Sequence, residues 1–514
     1  MAASLSKFHV SGTHSGRRIF ACAAVVLIAT ALCCAGCGKG GSVAGRKSIK
    51  TVVKVENDID ALRTWAAYGA RADVLVHIDF SDDMAVFAAA QMGEMEDAAR
   101  LLGRRDISVL ERIGPRIETG GTVSLGYMAG MYKRVVWVVP STRPAGEQIE
   151  IYKNYLVVRR KFPAASIADF KVEGAYVTGS VAGVPLTITN LADLALKENE
   201  TAIIDIDLHY FPMAKGENPA YRLGTGAILD FLRELGARNV RAKLVTVNLS
   251  TQNKAVGMDL RYFGDLIREA LMKPDDLNGP MPEKWRSMMQ AEDSLVAKRY
   301  ASAEAIYGEL IAKEKTDPGL YFSLAIAQGF QGKGAECSEA IFKAYRLDRE
   351  YFNGFFQLAR VLGGAGKVDA GLEILDTPDL QKMLPKDEQD YQRGMFFYTV
   401  HRPADAAKYL ARAAVSRPKN FGIYTVLFRA QREAGNDTGE MLALDRLVQI
   451  DDGRVRREMP WVYADLGQLY EKEKFYVNAR ENFEKYMAIY PDDSLSGVFK
   501  KKIAAWKAKK YITD

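Results

Sequence analysis

The stretch VLVHIDFSDDM, residues 74–84, decides how the first half of the chain is read. It begins with a nearly unbroken apolar run, which is typical of a strand buried on both faces of a parallel sheet. Three aspartates, Asp79, Asp82 and Asp83, follow the run directly. Because ligands of open α/β sheets gather at the carboxyl ends of the strands, we expect these acids to lie at a site.

Along the sequence around this stretch, apolar strand-like runs alternate with helical patterns. Three further apolar runs, RVVWVVP, TAIIDIDL and AKLVTVNLS, alternate with helical patterns such as DALRTWAAYGA and GAILDFLRELGA. This alternation predicts an α/β domain over residues 50–275, with a parallel sheet covered by helices on both faces. The segment 148–194 is rich in Val, Ile, Tyr and Gly, and it predicts an antiparallel, β-rich insertion.

A second apolar run of this domain also ends in acids. Asp205 and Asp207 share one face of a strand because side chains two apart point the same way, and His209 follows them. The carboxylates of the two strand ends would repel one another unless a cation lay among them or some were protonated. The alternative is structural: the acids cap helices and form ion pairs, and His77, inside its strand, is a core histidine.

The order of these motifs resembles a known enzyme superfamily. The segment from Asp79 to Asp83, followed on a later strand by Asp205 and Asp207, is similar to the arginase and histone-deacetylase superfamily. The closest likeness is to an uncharacterised branch whose second motif reads much like Asp-Ile-Asp-Leu-Asp-Tyr-Phe. VENDIDALRTW, VLVHIDFSDDM and VVWVVP also stand in the order expected there. The resemblance implies two divalent ions and hydrolysis of a C–N bond in an amide or guanidinium group.

The chain departs from that family at three ligand positions. Ser81 stands where the family places a histidine, Asp58 stands where another histidine is usual, and His209 replaces an acid. Since serine is a poor ligand, we expect at most one divalent ion per chain, and oxygen-rich coordination favours Mn²⁺ or Mg²⁺. The predicted metal ligands are Asp79, Asp83, Asp205, Asp207 and His209.

The C-terminal half has a repeating helical pattern that starts near residue 285. Small residues followed four positions later by a bulky one recur at intervals of 34, 34, 35, 34 and 39 residues. This period resembles the tetratricopeptide repeat, so we expect six units over residues 285–493 and a capping helix over 494–514. Residues 276–284 read as a linker between the two halves. The pairs are Ala303/Tyr307, Cys337/Ile341, Gly371/Leu375, Ala406/Leu410, Glu440/Leu444 and Ala479/Phe483.

Repeats of this kind present a concave groove to a protein or peptide and do no chemistry themselves. The lysine-rich segment after Pro491 predicts a polar cap, and contact with anionic lipid or an acidic partner is the alternative. Cys337 occupies a small-residue position, which indicates a packed core thiol. The formal charge is +6, and it falls to +3 without the first 36 residues, which hold three basic residues and no acids. So small a surplus does not indicate nucleic-acid binding.

The N-terminus carries a targeting pattern. After Arg17 and Arg18 comes the apolar run IFACAAVVLIATALCCAGCGKG, which has the length of a signal h-region. It ends in Cys34-Ala35-Gly36-Cys37, which resembles the lipobox of bacterial lipoproteins except that Cys34 replaces an aliphatic residue. The resemblance implies a signal peptide at 1–36, lipidation of Cys37 and a linker at 37–49. A plain signal peptide and an uncleaved anchor are the alternatives.

Together these patterns predict a bacterial envelope lipoprotein that is anchored in the outer membrane and faces the periplasm. In the first functional hypothesis the repeats bind a protein or peptide and the arginase-like domain is degenerate, so that the chain is a scaffold. In the second, the domain is a metal-dependent hydrolase of a C–N bond, and the repeats recruit its substrate or partner.

Overall fold

An eight-stranded mixed sheet forms the centre of the N-terminal domain. The computed structural model describes residues 51–117, 120–160, 162–217, 223–251 and 256–512. The strands are β1 (Val52–Val55), β2 (Val74–Ile78), β3 (Arg134–Val138), β4 (Lys171–Glu173), β5 (Tyr176–Val181), β6 (Val184–Thr189), β7 (Thr201–Asp207) and β8 (Arg241–Asn248). They lie in the order β1-β8-β7-β2-β3-β6-β5-β4.

Nine helices of the described residues connect and follow these strands. They are α1 (Asp58–Ala67), α2 (Ala89–Gly103), α3 (Val109–Ile117), α4 (Thr122–Met128), α5 (Ile149–Asn154), α6 (Tyr210–Glu217), α7 (Thr225–Ala237), α8 (Tyr262–Met272) and α9 (Pro274–Asn278). α1 begins after Asn57, whose side chain accepts a hydrogen bond from the Asp60 backbone N–H at 3.0 Å and caps the helix. A short 3-10 turn at Met258–Leu260 precedes α8.

The prediction of a parallel sheet is corrected at one edge. Six strands pair in parallel, but β5 is antiparallel to β6 and to β4. β6 pairs in parallel with β3, so this part of the segment 148–194 extends the main sheet. The cause is the turn between β5 and β6, where Ala182 and Gly183 have φ values of 50° and 83°. Two successive residues with positive φ form the tight turn of a hairpin, and a hairpin imposes antiparallel pairing.

Apolar side chains cover both faces of the sheet, as predicted for this fold class. On one face Leu75 and Ile203 belong to the core formed with α1 to α4. On the other face Val76 and Ile204 belong to the core formed with α7 and α8. Because successive strand residues point to opposite faces, the face of Leu75 is also the face of His77 and of the acids that follow it.

The C-terminal half is a solenoid of helix pairs, which confirms the predicted helical-repeat architecture. The helices are α10 (Glu283–Val296), α11 (Tyr300–Lys313), α12 (Pro318–Phe330), α13 (Gly334–Leu347), α14 (Phe352–Gly364), α15 (Val368–Leu375), α16 (Pro378–Met383), α17 (Lys386–Thr399), α18 (Pro403–Ser416), α19 (Phe421–Glu433), α20 (Asp437–Glu458), α21 (Trp461–Lys472), α22 (Tyr476–Ile489) and α23 (Ser494–Ala508). The pairs are α10/α11, α12/α13, α14/α15, α17/α18, α19/α20 and α21/α22. We call the first member of each pair a first helix and the other a second helix.

The small residues of the repeat pattern lie where the two helices of a pair meet. In the third pair, a Cβ atom added to Gly371 of α15 would lie 2.7 Å from the carbonyl oxygen of Ala359 on α14. In the last pair, Gly467 of α21 is a further small residue, because an added Cβ atom would lie 2.3 Å from the ring of Phe483. Cys337 is fully buried at its predicted small position, and burial raises the pKa of its thiol to about 12. Glu440 is also buried, and its carboxylate accepts a hydrogen bond from Arg432 at 2.7 Å. That ion pair accounts for the one unit without a small residue.

The solenoid packs directly on the sheet domain. Trp285 of α10 is fully buried and belongs to the same core as α7 and α8. Arg261 donates hydrogen bonds to Glu56 of the sheet domain and to Asp348 of the solenoid, each at 2.8 Å or less. The boundary at 276–284 stays a prediction, and residues 48–514 form one compact unit. Within the described residues no helix is both long and apolar enough to cross a membrane.

Candidate metal centre

Three neighbouring strands place the polar residues of the site in register. His77 of β2 lies opposite Asp205 of β7, which lies opposite Thr246 of β8. One step further along, Asp207 lies opposite Asn248. Side chains two apart on a strand share a face, so two polar rows cross the sheet on the face of α1. The predicted convergence of the two acidic strand ends is therefore present in the structure.

His77 stands at the middle of the cluster and is almost completely buried. Its Nδ1 atom lies 3.1 Å from the Oδ2 atom of Asp205, and its Nε2 atom lies 3.1 Å from the carbonyl oxygen of Ser81. Both partners accept hydrogen bonds, whereas a neutral imidazole has only one N–H to donate. The geometry therefore favours a doubly protonated, cationic His77 in the metal-free protein.

Asp79 and Asp83 each turn one carboxylate oxygen towards His77. The Oδ2 atoms of Asp83 and Asp79 lie 3.5 and 4.0 Å from the Nε2 atom. The Oδ1 atom of Asp79 accepts a hydrogen bond from the Phe80 backbone N–H at 2.6 Å. The Oδ1 atom of Asp83 accepts one from the Ser81 hydroxyl. Asp83 has a φ of 46°, and its carbonyl accepts the backbone N–H groups of Gly121 and Val123, which fixes the turn.

Asp205 and Asp207 lie behind this group and are held by hydroxyl groups. Asp205 accepts hydrogen bonds from His77 and, at 2.6 Å, from the hydroxyl of Thr246. Asp207 accepts hydrogen bonds from the hydroxyl of Ser250 and from the backbone N–H of His209, each at 2.6 Å. Both carboxylate oxygens of each of these two predicted ligands therefore already accept hydrogen bonds. With these contacts, Asp205 and Asp207 orient the inner group of His77, Asp79 and Asp83.

The remaining predicted site residues lie at the rim. The Nδ1 atom of His209 is 3.6 Å from the Oδ1 atom of Asp79, and its side chain is 27 % exposed. Asp58 accepts a hydrogen bond from the amide of Asn248, which places it beside the second polar row. Asp82 is turned away from His77 and forms an ion pair with Arg160 at 2.9 Å. Among the three aspartates of VLVHIDFSDDM, Asp82 is thus the one with a structural partner outside the cluster.

Burial and mutual repulsion shift the pKa values of this cluster. Burial would lower the pKa of His77, but the hydrogen bond with Asp205 and the charge of Asp83 raise it to about 9. Burial raises the pKa of Asp79 well above its usual value, with the charges of Asp207 and Asp83 adding to the effect. Burial raises the pKa of Asp207 to about 7 in spite of its hydrogen bonds. Burial lowers the pKa of His209, so its ring is neutral at pH 7.

The residues present fit one small divalent cation. One ligand atom each of His77, Asp79 and Asp83 lies within 4.8 Å of the others. With metal–ligand bonds of about 2.1 Å, ligand atoms around one ion are separated by roughly 3 to 4.2 Å, so the spacing needs little adjustment. Asp205 on the opposite ring nitrogen supplies the carboxylate–histidine contact that orients metal-bound imidazoles. His77 would have to release its Nε2 proton to become a ligand.

Sequence reasoning missed several residues that complete the site. Thr246, Asn248 and Ser250 were part of the apolar run AKLVTVNLS, but no role was predicted for them. Their signal was the alternation of polar residues at the end of a buried strand, all on the face that carries the acids. The indole N–H of Trp65 donates to the Thr246 hydroxyl at 3.1 Å, and that of Trp137 donates to the Asp79 carbonyl at 2.9 Å.

Comparisons with known proteins concern the solenoid. No protein family and no curated protein matches the sequence. One similar solved structure is YrrB, described as a TPR protein with an unusual peptide-binding site: 17 % identity, 38 % of this chain, 97 % of that chain, TM-score 0.26. A second is the type IV pilus biogenesis factor PilW, with 14 % identity over 42 % of this chain and 97 % of that chain and a TM-score of 0.24. A third is pilF of Pseudomonas aeruginosa, with 11 % identity over 43 % of this chain and 97 % of that chain and a TM-score of 0.24. Because these TM-scores are low, the assignment of a repeat architecture rests on the helix pairs of this structure and not on the similarity.

Proposed function

We propose that this chain is a bacterial envelope lipoprotein that works as a protein-interaction scaffold. Its solenoid is the binding surface, and its α/β domain is a degenerate arginase-like domain that holds one divalent cation. The observation that carries this proposal is the closure of the acid cluster. Asp79, Asp205 and Asp207 are each exposed by 3 % or less. Carboxylates that water barely reaches offer no surface to a substrate.

The substitution at Ser81 supports the degenerate reading of the domain. Its hydroxyl donates to Asp83, and its carbonyl accepts from His77, so it ties the loop to the cluster in place of a ligand histidine. In the metal-free protein a cationic His77 also neutralises part of the negative charge of the cluster. A bound divalent cation would draw the carboxylates of Asp79 and Asp83 together and stabilise the strand ends.

The scaffold proposal is tested by crosslinking from matched positions of one helix pair. Met395 lies half-buried on the first helix α17, whereas Val415 is 81 % exposed on the second helix α18. With a photo-crosslinking amino acid at each position in intact cells, we expect a discrete adduct from position 395 and none from 415. Adducts of equal yield from both positions, or none from either, would contradict a partner on the first-helix face.

The envelope location is tested at Cys37, which lies outside the described residues. Cys37→Ala should leave an unprocessed precursor and abolish labelling by a fatty-acid probe, while the matched change Cys22→Ala, outside the lipobox, should leave both unchanged. Unaltered processing and labelling in the Cys37 variant would reject the lipoprotein proposal.

A second candidate function is hydrolysis of a C–N bond, and one observation favours it. An imidazole oriented by a carboxylate, with its other nitrogen facing two further carboxylates, is also typical of catalytic metal sites. His209 adds a neutral imidazole at the rim, where it would be placed to transfer a proton. The test is turnover of acetamides and guanidinium compounds with Mn²⁺ present. Turnover that Asp79→Asn abolishes would establish the hydrolase, and its absence would leave the scaffold.

A further inference from the structure

Equivalent positions of the first helices form a row along one face of the solenoid. Each position precedes the small residue of its repeat by eleven residues: Glu292, Ile326, Arg360, Met395, Arg429 and Gln468. Consecutive first helices of the inner repeats contact one another, α12 with α14, α14 with α17 and α17 with α19. The row therefore runs along a continuous surface, which we call the first-helix face.

The sheet domain already occupies the beginning of this face. Glu292, the first residue of the row, accepts hydrogen bonds from the hydroxyl groups of Thr225 and Tyr262, each at 2.5 Å. Tyr262 also packs on α12, where a Cβ atom on Gly319 would lie 2.5 Å from the Tyr262 Cβ. The face of the first repeats is thus filled from within the same chain.

This internal occupant reaches α14. The backbone N–H of Met258 donates to the side chain of Gln357 at 2.7 Å, and Met258 belongs to the solenoid core together with Phe322. Gln357 and Arg360 are three residues apart on α14, so they are neighbours on the helix surface. Arg360 therefore stands directly beyond the point where the internal occupant is bound.

Among the described residues Arg360 has no carboxylate partner, although it is half-buried. Its Nη1 group donates to the Oε1 atom of Gln392 at 3.1 Å. No carboxylate among the described residues lies within 4.0 Å of its guanidinium group, whereas Arg134 and Arg417, which are also partly buried, pair with Glu200 and Asp387 respectively. Burial lowers the pKa of Arg360, which means that its charge is poorly compensated in the free protein.

The surroundings of Arg360 suit an extended segment with apolar side chains. Gln392 is itself oriented, because its amide donates to Glu388 at 2.7 Å and so turns its oxygen to Arg360. The half-buried Met395 follows on the next first helix, and Phe356, one turn before Arg360, belongs to the buried core. A partly buried guanidinium beside apolar side chains binds a carboxylate bidentately and more strongly than it binds a neutral amide such as that of Gln392.

We propose that Arg360 binds an Asp or Glu side chain within an apolar segment of the partner protein. This segment lies on the first-helix face and begins where the contacts of residues 256–262 with that face end. This inference rests on the scaffold function proposed above and names the chemistry of the partner. Beyond Arg360 the face continues over α17 and α19, which leaves room for the rest of the partner segment. The internal segment of the sheet domain and the partner would then lie end to end.

The test uses fluorescence anisotropy with the full chain and three fluorescein-labelled nonapeptide pools of aromatic and aliphatic residues. The first pool has Asp or Glu at the centre, the second has Asn or Gln there, and both have amidated ends. The third is neutral at the centre with a free C-terminal carboxylate. We expect the first pool to bind about tenfold more tightly than the second, as a charge-assisted hydrogen bond predicts.

Arg360→Gln should abolish that preference, and Arg446→Gln should retain it. Arg446 is a matched control because it lies on the second helix α20, where it bonds to the Pro418 carbonyl and Gln449. Equal binding of the first two pools, preference for the third pool, an unchanged preference in Arg360→Gln, or no binding of any pool would overturn the proposal. If Arg360→Gln does not fold, Arg360→Lys and the comparison of pools on the unaltered chain decide it. Equal binding of all pools together with a crosslink from position 395 would refute Arg360 but keep the scaffold.

Discussion

The Nδ1 atom of His77 lies 3.1 Å from the Oδ2 atom of Asp205, directly across from it on the neighbouring strand. Thr246 holds the other oxygen of the same carboxylate at 2.6 Å. The imidazole is therefore fixed from behind, and its Nε2 atom is directed at Asp79 and Asp83. This relationship makes His77 the central residue of the site, as the cation of the metal-free protein and as the nitrogen that would bind the proposed ion.

Asp205→Asn should weaken metal binding without removing a ligand of the inner group. Outer carboxylates of this kind contribute about 10- to 100-fold to metal affinity, because they orient the imidazole and raise its basicity. Titration of the metal-free protein with Mn²⁺ by calorimetry measures the change. Asp73→Asn is the matched control, since Asp73 precedes the same strand β2 at its other end and bonds to Lys133 and Thr201. Equal affinities in both variants would refute the orienting role of Asp205.

The metal-free protein should keep His77 protonated well above neutral pH. Its pKa of about 9 exceeds the ordinary value of about 6.5, so the folded state holds the proton more tightly than the unfolded state. The stabilisation is complete below pH of about 6.5 and is lost as the pH rises through 9. The NMR signal of the His77 ring, assigned with His77→Gln, should titrate near pH 9 in the presence of a chelator. A midpoint at or below 6.5 would contradict the cationic assignment.

The repeat architecture makes a sharp prediction at two glycines. Gly467→Ala should destabilise the solenoid by roughly 1–3 kcal/mol, because the new Cβ would meet the ring of Phe483 at 2.3 Å. Gly308→Ala is the matched control on the exposed surface of α11, where a Cβ meets nothing within 4 Å. There we expect a gain of up to about 1 kcal/mol, since alanine favours a helix over glycine. Urea unfolding measures both, and equal effects would contradict the packing described for Gly467.

The parts of the fold that the sequence predicted are those with a periodic signal. Small residues at a period near 34 predicted the helix pairs, and Gly371 against the Ala359 carbonyl shows the close approach that requires a small residue at this position. The antiparallel pairs of β5 lie within the segment 148–194, where an antiparallel insertion was expected, but the parallel pairing of β6 with β3 was not expected, because hydrophobic periodicity does not fix which strands become neighbours.

The candidate site was predicted in its acids but not in its arrangement. The spacing of Asp205 and Asp207 predicted that they share one face of a strand. Their hydrogen-bond partners depend on which strands lie beside β7, and the sequence pattern does not give that order. His77 was read as a core histidine because it lies inside its strand. It is buried as that interpretation requires, but only the register with Asp205 showed that it links the two acidic strand ends.

The number of divalent ions bound per chain tests the central claim most directly. We expect elemental analysis and Mn²⁺ titration of the chelator-treated chain to give one equivalent, with Asp79→Asn reducing it to none and Ser81→His adding a second. At a hundredfold excess over the dissociation constant, binding should stabilise the fold by roughly 2.7 kcal/mol, which a thermal shift detects. One equivalent without turnover of amides or guanidinium compounds is the result that this account predicts. Two equivalents in the unaltered chain, or none with Mn²⁺, Mg²⁺ or Zn²⁺, would contradict it.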